Sequence, residues 1–228
     1  RMRVFGGSCN LWGGGCIPIG KLEAREWVPD SHWPISYEDL EPYYRHARDF
    51  CHIPPHDFIE DSFLTPPGVA PLQFDAHKVV NKTFAHSPVM FGDTYRADLE
   101  QSPNITILLY ANLLELDSST GGTAVHQARI GTLEGRTGTV HAKQYVLACG
   151  GIENARLLLI SDSTTPNGLG NQYDLVGRYF MDHPSGKLGT LYTPEADRIA
   201  RPYDRDLHKT PTSVHPEICL SDEAPRAY

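Results

Sequence analysis

Between residues 104 and 161 the chain carries three strand-like stretches, a Gly-Gly step and an apolar helix-like stretch, in that order. Residues 104–117 and 124–132 read as the first two strands, with Gly121-Gly122 between them. Residues 137–149 read as the third, which begins by alternating and ends in the continuous apolar run Tyr145-Val146-Leu147-Ala148-Cys149. It follows the turn Glu134-Gly135-Arg136. Glycine turns between apolar stretches are hairpin signals. A strand that finishes fully apolar fits a sheet covered on both faces, the environment of parallel strands. Gly150-Gly151 and residues 153–161 then predict a helix, with Ala155, Leu157, Leu158, Leu159 and Ile160 on a mostly buried face. The expected class is α/β (α+β overall), with a β-meander that returns into a parallel sheet.

The rest of the chain is less periodic. Ser36 is placed to cap a helix, with Asp39 or Glu38 bonding back, and Leu40, Tyr43, Tyr44, Ala47 and Phe50 recur at helical spacing. Pro42 falls inside this pattern and predicts that the helix starts or breaks there. Residues 61–91, with Pro66-Pro67-Gly68, read as loop with short strands. Residues 91–99 predict a short helix, ended near Ser102-Pro103.

Composition narrows the partners. The formal net charge is −8, which disfavours nucleic acid and anionic membrane surfaces. No apolar run approaches the ~20 residues a spanning helix needs. The five cysteines are odd in number and show no C-x-x-C spacing, so reduced thiols are expected, without a disulfide framework or structural zinc. The histidines are scattered, and no metal-ligand spacing appears. The sequons at Asn81 and Asn104 are expected to be chance matches.

Two stretches carry the chemistry. The first is Gly6-Gly7-Ser8-Cys9-Asn10-Leu11-Trp12-Gly13-Gly14-Gly15. Glycine lets backbone amides approach a phosphate or a ring with no β-carbon in the way. The interleaved Asn10, Leu11 and Trp12 argue against a flexible linker. The second is the strand-to-helix turn through Ala148, Cys149, Gly150 and Gly151. Small residues there admit a ligand, and the following helix N-terminus favours negative charge. At Cys149 a small residue is the better reading than a reactive thiol. A third stretch, Gly168-Leu169-Gly170-Asn171, lacks the third glycine and the preceding strand of a dinucleotide fingerprint. His183, ahead of Pro184, reads as structural, and Trp27 and Trp33 as core or lid anchors.

Taken together and in order, these stretches resemble the glucose–methanol–choline oxidoreductases, which use FAD. Residues 6–14 resemble that family's loop beside the flavin. Ala111-Asn112-Leu113 is similar to the strand that meets the adenine, and residues 147–157 to the return strand near the cofactor. The string from Gly168 through Gly177-Arg178 to Asp182-His183-Pro184 is similar to the segment closing the FAD domain. Aromatic residues from Trp27 to Tyr44 suit the sugar- and polyol-oxidising branch.

The resemblance implies a partial FAD-binding domain over residues 1–184, with residues 25–91 as a lid or insertion, and the beginning of a substrate-binding domain over 185–228. It implies FAD contacts at Gly6, Gly7, Ser8, Cys9, Asn10, Leu11, Trp12, Gly13, Leu113, Ala148, Cys149, Gly150 and Gly151. Some members link a histidine in the loop to the flavin. The matching position here is Leu11, so that link is not expected. The family's G-x-G-x-x-G and its catalytic histidine have no counterpart in these residues, so no catalytic residue is assigned, and the chain is expected to be a piece of a longer protein without turnover of its own. No metal is expected. The expected function is oxidation of a CH–OH group of an alcohol, sugar or polyol by hydride transfer to flavin. The alternatives are a non-catalytic binding module derived from such a fold, or another two-domain flavoprotein such as a hydroxylase.

Overall fold

The structure is a computed structural model, and it describes residues 2–19, 34–53, 69–182, 185–204, 214–221 and 224. Trp27, Trp33, Pro66-Pro67-Gly68, His183 and Pro184 lie outside the described residues. The chain divides into two compact units, one formed by Arg1–Ser102 with Gly189–Tyr228 and one by Pro103–Leu188.

In chain order the strands are β1 (Gly15–Cys16), β2 (Val79–His86), β3 (Asn112–Ser118), β4 (Val125–Gly131), β5 (Thr137–Val140) and β6 (Val214–Leu220). The helices are α1 (Tyr37–Phe50), α2 (Phe91–Thr94), α3 (Arg96–Gln101), α4 (Gly151–Ile160) and α5 (Ala196–Ala200).

The first unit is built on an antiparallel sheet in the order β1-β2-β6. Its central strand β2 pairs with β6 from Val79 opposite Leu220 to Ala85 opposite Val214. Ala85 and Val214 pack with Ile53, and Cys16 and Cys51 close over this small core. Sequence pattern predicted only short strands here. The eight-residue β2 is long because Thr83 and Ala85 alternate into the interior, a period-2 pattern between a loop and Pro88.

Helix α1 begins where Ser36 predicts. The Ser36 hydroxyl accepts from the Asp39 amide at 3.1 Å, and the Asp39 carboxylate accepts from the Ser36 amide at 2.8 Å. The Ser36 amide and the Ser36 hydroxyl both donate to that carboxylate and hold the Asp39 carboxyl below its ordinary value. Pro42 neither starts nor breaks the helix, which runs through it. The bond that proline forgoes would have gone to the carbonyl of Glu38, an exposed first-turn residue within reach of water. The predicted helix over 91–99 is two pieces, α2 and α3, parted at Tyr95.

The second unit holds the expected meander, β3-β4-β5, antiparallel throughout. The expected parallel sheet is not there: among the described residues both sheets are antiparallel. The first strand begins at Asn112 rather than 104, and the third stops at Val140. Residues 145–149 carry no ladder bonds. Their apolar run is sided instead. Tyr145 and Leu147 pack against the Leu116, Ala128 and Leu169 core, while Val146 is 87% exposed. The Tyr145 hydroxyl donates to the carbonyls of His126 and Val140 and accepts from the Ala142 amide, which pins the run beneath the meander by its first side chain.

Helix α4 starts at Gly151, close to expectation, but its buried face is narrower: only Leu157 is fully buried, and Leu158 is partly so. Its far end is laced to β3. Leu116 N–H donates to Ser161 Oγ at 3.0 Å, and Ser163 N–H donates to Glu115 Oε1 at 3.1 Å. The Ser118 and Thr164 hydroxyls share a bond at 2.9 Å. Among the described residues no helix is long and apolar enough to cross a membrane.

Candidate functional site

The expected cofactor residues divide between the two units. Within the first, residues 6–14 form a loop whose 3-10 turn, Gly7–Asn10, follows Gly6 in the left-handed region. The loop is fastened along one side to residues 84–92. Asn10 makes the central staple: its amide nitrogen donates to the Phe5 carbonyl at 2.9 Å, and its amide oxygen accepts from the Gly92 N–H at 2.8 Å. Trp12 donates its indole N–H to the Val89 carbonyl at 2.8 Å and lies against Phe91, ring centres 5.6 Å apart. Gly14 accepts from the Ser87 N–H at 2.7 Å, and Gly13 presents its carbonyl to His86 Nδ1 at 3.2 Å.

The glycines serve two different purposes. A β-carbon on Gly6 would lie 2.5 Å from the Gly92 Cα, and one on Gly14 would lie 2.4 Å from the Ser87 carbonyl oxygen. One on Gly15 would enter the Phe84 ring. These three are required by the chain's own packing. Around Gly7 and Gly13 a β-carbon would meet nothing within 4 Å, but Gly7 sits in the left-handed region at φ +56°, so Gly13 alone is under neither demand. Ser8, Cys9, Leu11 and Gly13 are exposed, and Leu11 is 63% so. The loop therefore has an anchored edge, Gly6, Asn10, Trp12 and Gly14, and a bare edge, Gly7, Ser8, Cys9, Leu11 and Gly13. The bare edge presents backbone, the Ser8 hydroxyl, the Cys9 thiol and the apolar Leu11 side chain.

Asn10→Ala would leave the Phe5 carbonyl and the Gly92 amide without partners. We expect a loss of about 2–3 kcal/mol in this unit, read as a shift of the urea midpoint at constant slope.

Within the second unit, Ala148, Cys149, Gly150 and Gly151 are all exposed, and β-carbons on the two glycines would meet nothing within 4 Å. Asn154 gives this turn its shape. Its side chain accepts from the Cys149 N–H at 2.9 Å and donates to the Leu147 carbonyl at 3.1 Å, tying the extended run to the first turn of α4. The first-turn amides of α4 precede any intrahelical acceptor, and they make this turn a place where negative charge is favoured. Glu153 in the same turn is paired with Arg156, which offsets its charge. Leu113 lies on β3 opposite Ile130, partly buried against the core of the meander. Gly168-Leu169-Gly170 is scaffold here: Leu169 is core, and a β-carbon on Gly168 would strike the backbone of Leu158 and Leu159.

Sequence pattern missed the residues that hold the bare edge in place. Ser87, Val89 and Gly92 were read as loop and helix start, yet they carry the partners of Gly14, Trp12 and Asn10. The one available signal was Gly92, an awkward residue for the first turn of a helix.

The chain matches no family model. Over 46 residues it is 50% identical to the fructose dehydrogenase large subunit of Gluconobacter japonicus, a match covering 20% of this chain and 8% of that protein. Over 113 residues it is 32% identical to the 6'''-hydroxyparomomycin C oxidase of Streptomyces lividus, covering 48% of this chain and 20% of that protein. The matched stretches thus span a fifth or less of either relative's length. Over part of its length the chain is related to oxidoreductases, one named for a sugar and one for a hydroxyparomomycin.

Proposed function

We propose that this chain forms part of the flavin site of an FAD-dependent oxidoreductase that oxidises a CH–OH group of a sugar, a polyol or a related alcohol. The observation that carries the reading is the bare edge of the glycine loop. Gly13 there is required neither by packing nor by a left-handed backbone, on a loop otherwise fixed by named bonds. The relation to a fructose dehydrogenase and a hydroxyparomomycin oxidase supports the substrate class.

On this reading Gly7, Ser8, Cys9, Leu11 and Gly13 line the ring system, with Asn10 and Trp12 holding them in place from behind. Ala148, Cys149, Gly150 and Gly151 offer small residues and the amides of α4 to an anionic part of the cofactor. Leu113 belongs to the adenine end. The flavin, when bound, supplies the hydride acceptor. Leu11 contributes apolar cover against water and has no nucleophilic atom for a covalent tether. The base that takes the alcohol proton is not assigned to any of these residues.

The test uses the protein encoded by the complete reading frame. It should purify with FAD and reduce a dye in the presence of a sugar or polyol, without NAD(P)H. Gly13→Val should weaken FAD binding by at least about tenfold, since a branched side chain would stand where the ring lies, while the melting midpoint of the flavin-free protein stays put. A flavin-free protein would refute the proposal. So would a Gly13→Val variant with unchanged affinity, or sugar-independent turnover requiring NAD(P)H.

A further inference from the structure

Two cysteines that are 35 positions apart in sequence meet at the base of the glycine loop. Cys16 ends β1, directly after the loop, and Cys51 caps α1. Both side chains pack against the same small core of Ile53, Ala85 and Val214. Ser87 fixes the two backbones from between them. Its N–H donates to the Gly14 carbonyl at 2.7 Å, and its hydroxyl donates to the Cys51 carbonyl at 2.7 Å. Ser87 is itself buried, and its Oγ also accepts from the Val89 N–H. The Cys16 thiol points at the Gly14 carbonyl, 3.4 Å away, and the Cys51 side chain packs on the same core beside it. Both residues are half-buried, whereas Cys9 and Cys149 are exposed.

We propose that Cys16 and Cys51 are a redox modification site: oxidation by a peroxide joins them in a disulfide that locks the exit of the glycine loop to the end of α1. One thiolate attacks the peroxide oxygen, giving a sulfenic acid and releasing water after proton uptake. The second thiol attacks the sulfenic sulfur and releases the other water. Two thiols and one hydrogen peroxide become one disulfide and two waters, so both electrons and both protons are accounted for. Burial, and then the neighbouring Cys51 thiol, push the Cys16 thiol up to about 11. Little Cys16 thiolate is therefore present at neutral pH, so the link forms only under sustained exposure to the peroxide.

The consequence lies in the loop. Gly13 and Gly14 are the residues immediately before β1. A covalent link at Cys16 removes the freedom of that end while the Asn10 staple holds the other. Backbone amides of residues 13–16 should exchange with solvent more slowly in the oxidised chain.

The experiment uses the full chain. It is reduced, freed of reductant, exposed to hydrogen peroxide, blocked with N-ethylmaleimide, digested without reductant and mapped by mass spectrometry. A single linked pair is expected, the Cys16 peptide with the Cys51 peptide, lighter by two hydrogens than the separate peptides and parted by thiol reductant. Cys9, Cys149 and Cys219 should appear blocked or singly oxidised. In urea the same treatment should scatter the links over several pairs. The proposal is overturned if Cys16 and Cys51 emerge unlinked after peroxide has consumed the exposed thiols. It is equally overturned if Cys16 links to another cysteine, or if the unfolded chain yields the same single pair. With Cys51→Ser, Cys16 should be recovered blocked; recovery in a new disulfide would also count against the site.

Discussion

Gly14→Ala should destabilise the first unit by about 3 kcal/mol or more, while Gly13→Ala, one residue earlier, should leave stability unchanged or slightly raised. The asymmetry follows from the surroundings of the two β-carbons. At Gly14 the backbone φ is +72°, and the new methyl would sit 2.4 Å from the Ser87 carbonyl oxygen. A left-handed non-glycine residue costs about 1–2 kcal/mol on its own, and overpacking typically adds 1–3. Relief by movement is blocked, because Ser87 is bonded at its N–H to Gly14 and at its hydroxyl to Cys51 and Val89. At Gly13 the methyl would enter open space, and the substitution also narrows the unfolded ensemble. Urea unfolding of the two variants, followed by tryptophan fluorescence, measures both. Equal midpoints for the two variants would dismiss the division of this loop into an anchored edge and a bare edge.

That division shows what was legible in the sequence. The run of glycines with Asn10, Leu11 and Trp12 marked a built loop. It gave no means of telling a glycine that accommodates Gly92 from one that faces outward, because Asn10 and its staple partner Gly92 are 82 positions apart. Local chemistry was readable for the same reason that distant chemistry was not. The Ser36–Asp39 box closes within one turn, and β4 and the turn before it are set by neighbouring residues. The apolar run at 145–149 misled because apolarity reports burial, not hydrogen-bond partners. Tyr145 and Leu147 satisfy it by packing under a meander, with no parallel strand alongside. The Cys16–Cys51 meeting was equally hidden, since cysteine spacing is informative only where both thiols belong to one local motif.

Glu115 carries the other large effect. Its carboxylate is buried on β3, accepts from the Ser163 N–H, and is paired with Arg129 of β4. Glu115→Ala should cost the second unit about 2–3 kcal/mol, because the Ser163 amide and the Arg129 guanidinium lose a charged acceptor that water replaces only in part. The bonds from Ser163, with Arg129 behind them, hold the Glu115 carboxyl below its ordinary 4.5 despite its burial. A carboxyl depressed in the folded state binds fewer protons than the unfolded chain does, so its contribution is complete above about pH 4.5 and is lost as pH falls through the lower folded value. The stability difference between the wild type and Glu115→Gln should therefore be constant near neutrality and shrink toward zero in acid. Hydrogen exchange of the β3 and β4 amides across that range reads it directly, and a difference that stays constant into strong acid would refute the ionic role. The consequence reaches the candidate site through α4. Ser161, Ser163 and Thr164 lace the end of that helix to Leu116, Glu115 and Ser118, and its other end begins at Gly150-Gly151. Losing the Ser163 bond loosens one of the three ties that hold this helix to the meander, and the turn that Asn154 shapes sits at the helix's other end. The complete protein carrying Glu115→Ala should accordingly bind FAD more weakly than Glu115→Gln, which keeps an acceptor for the Ser163 amide.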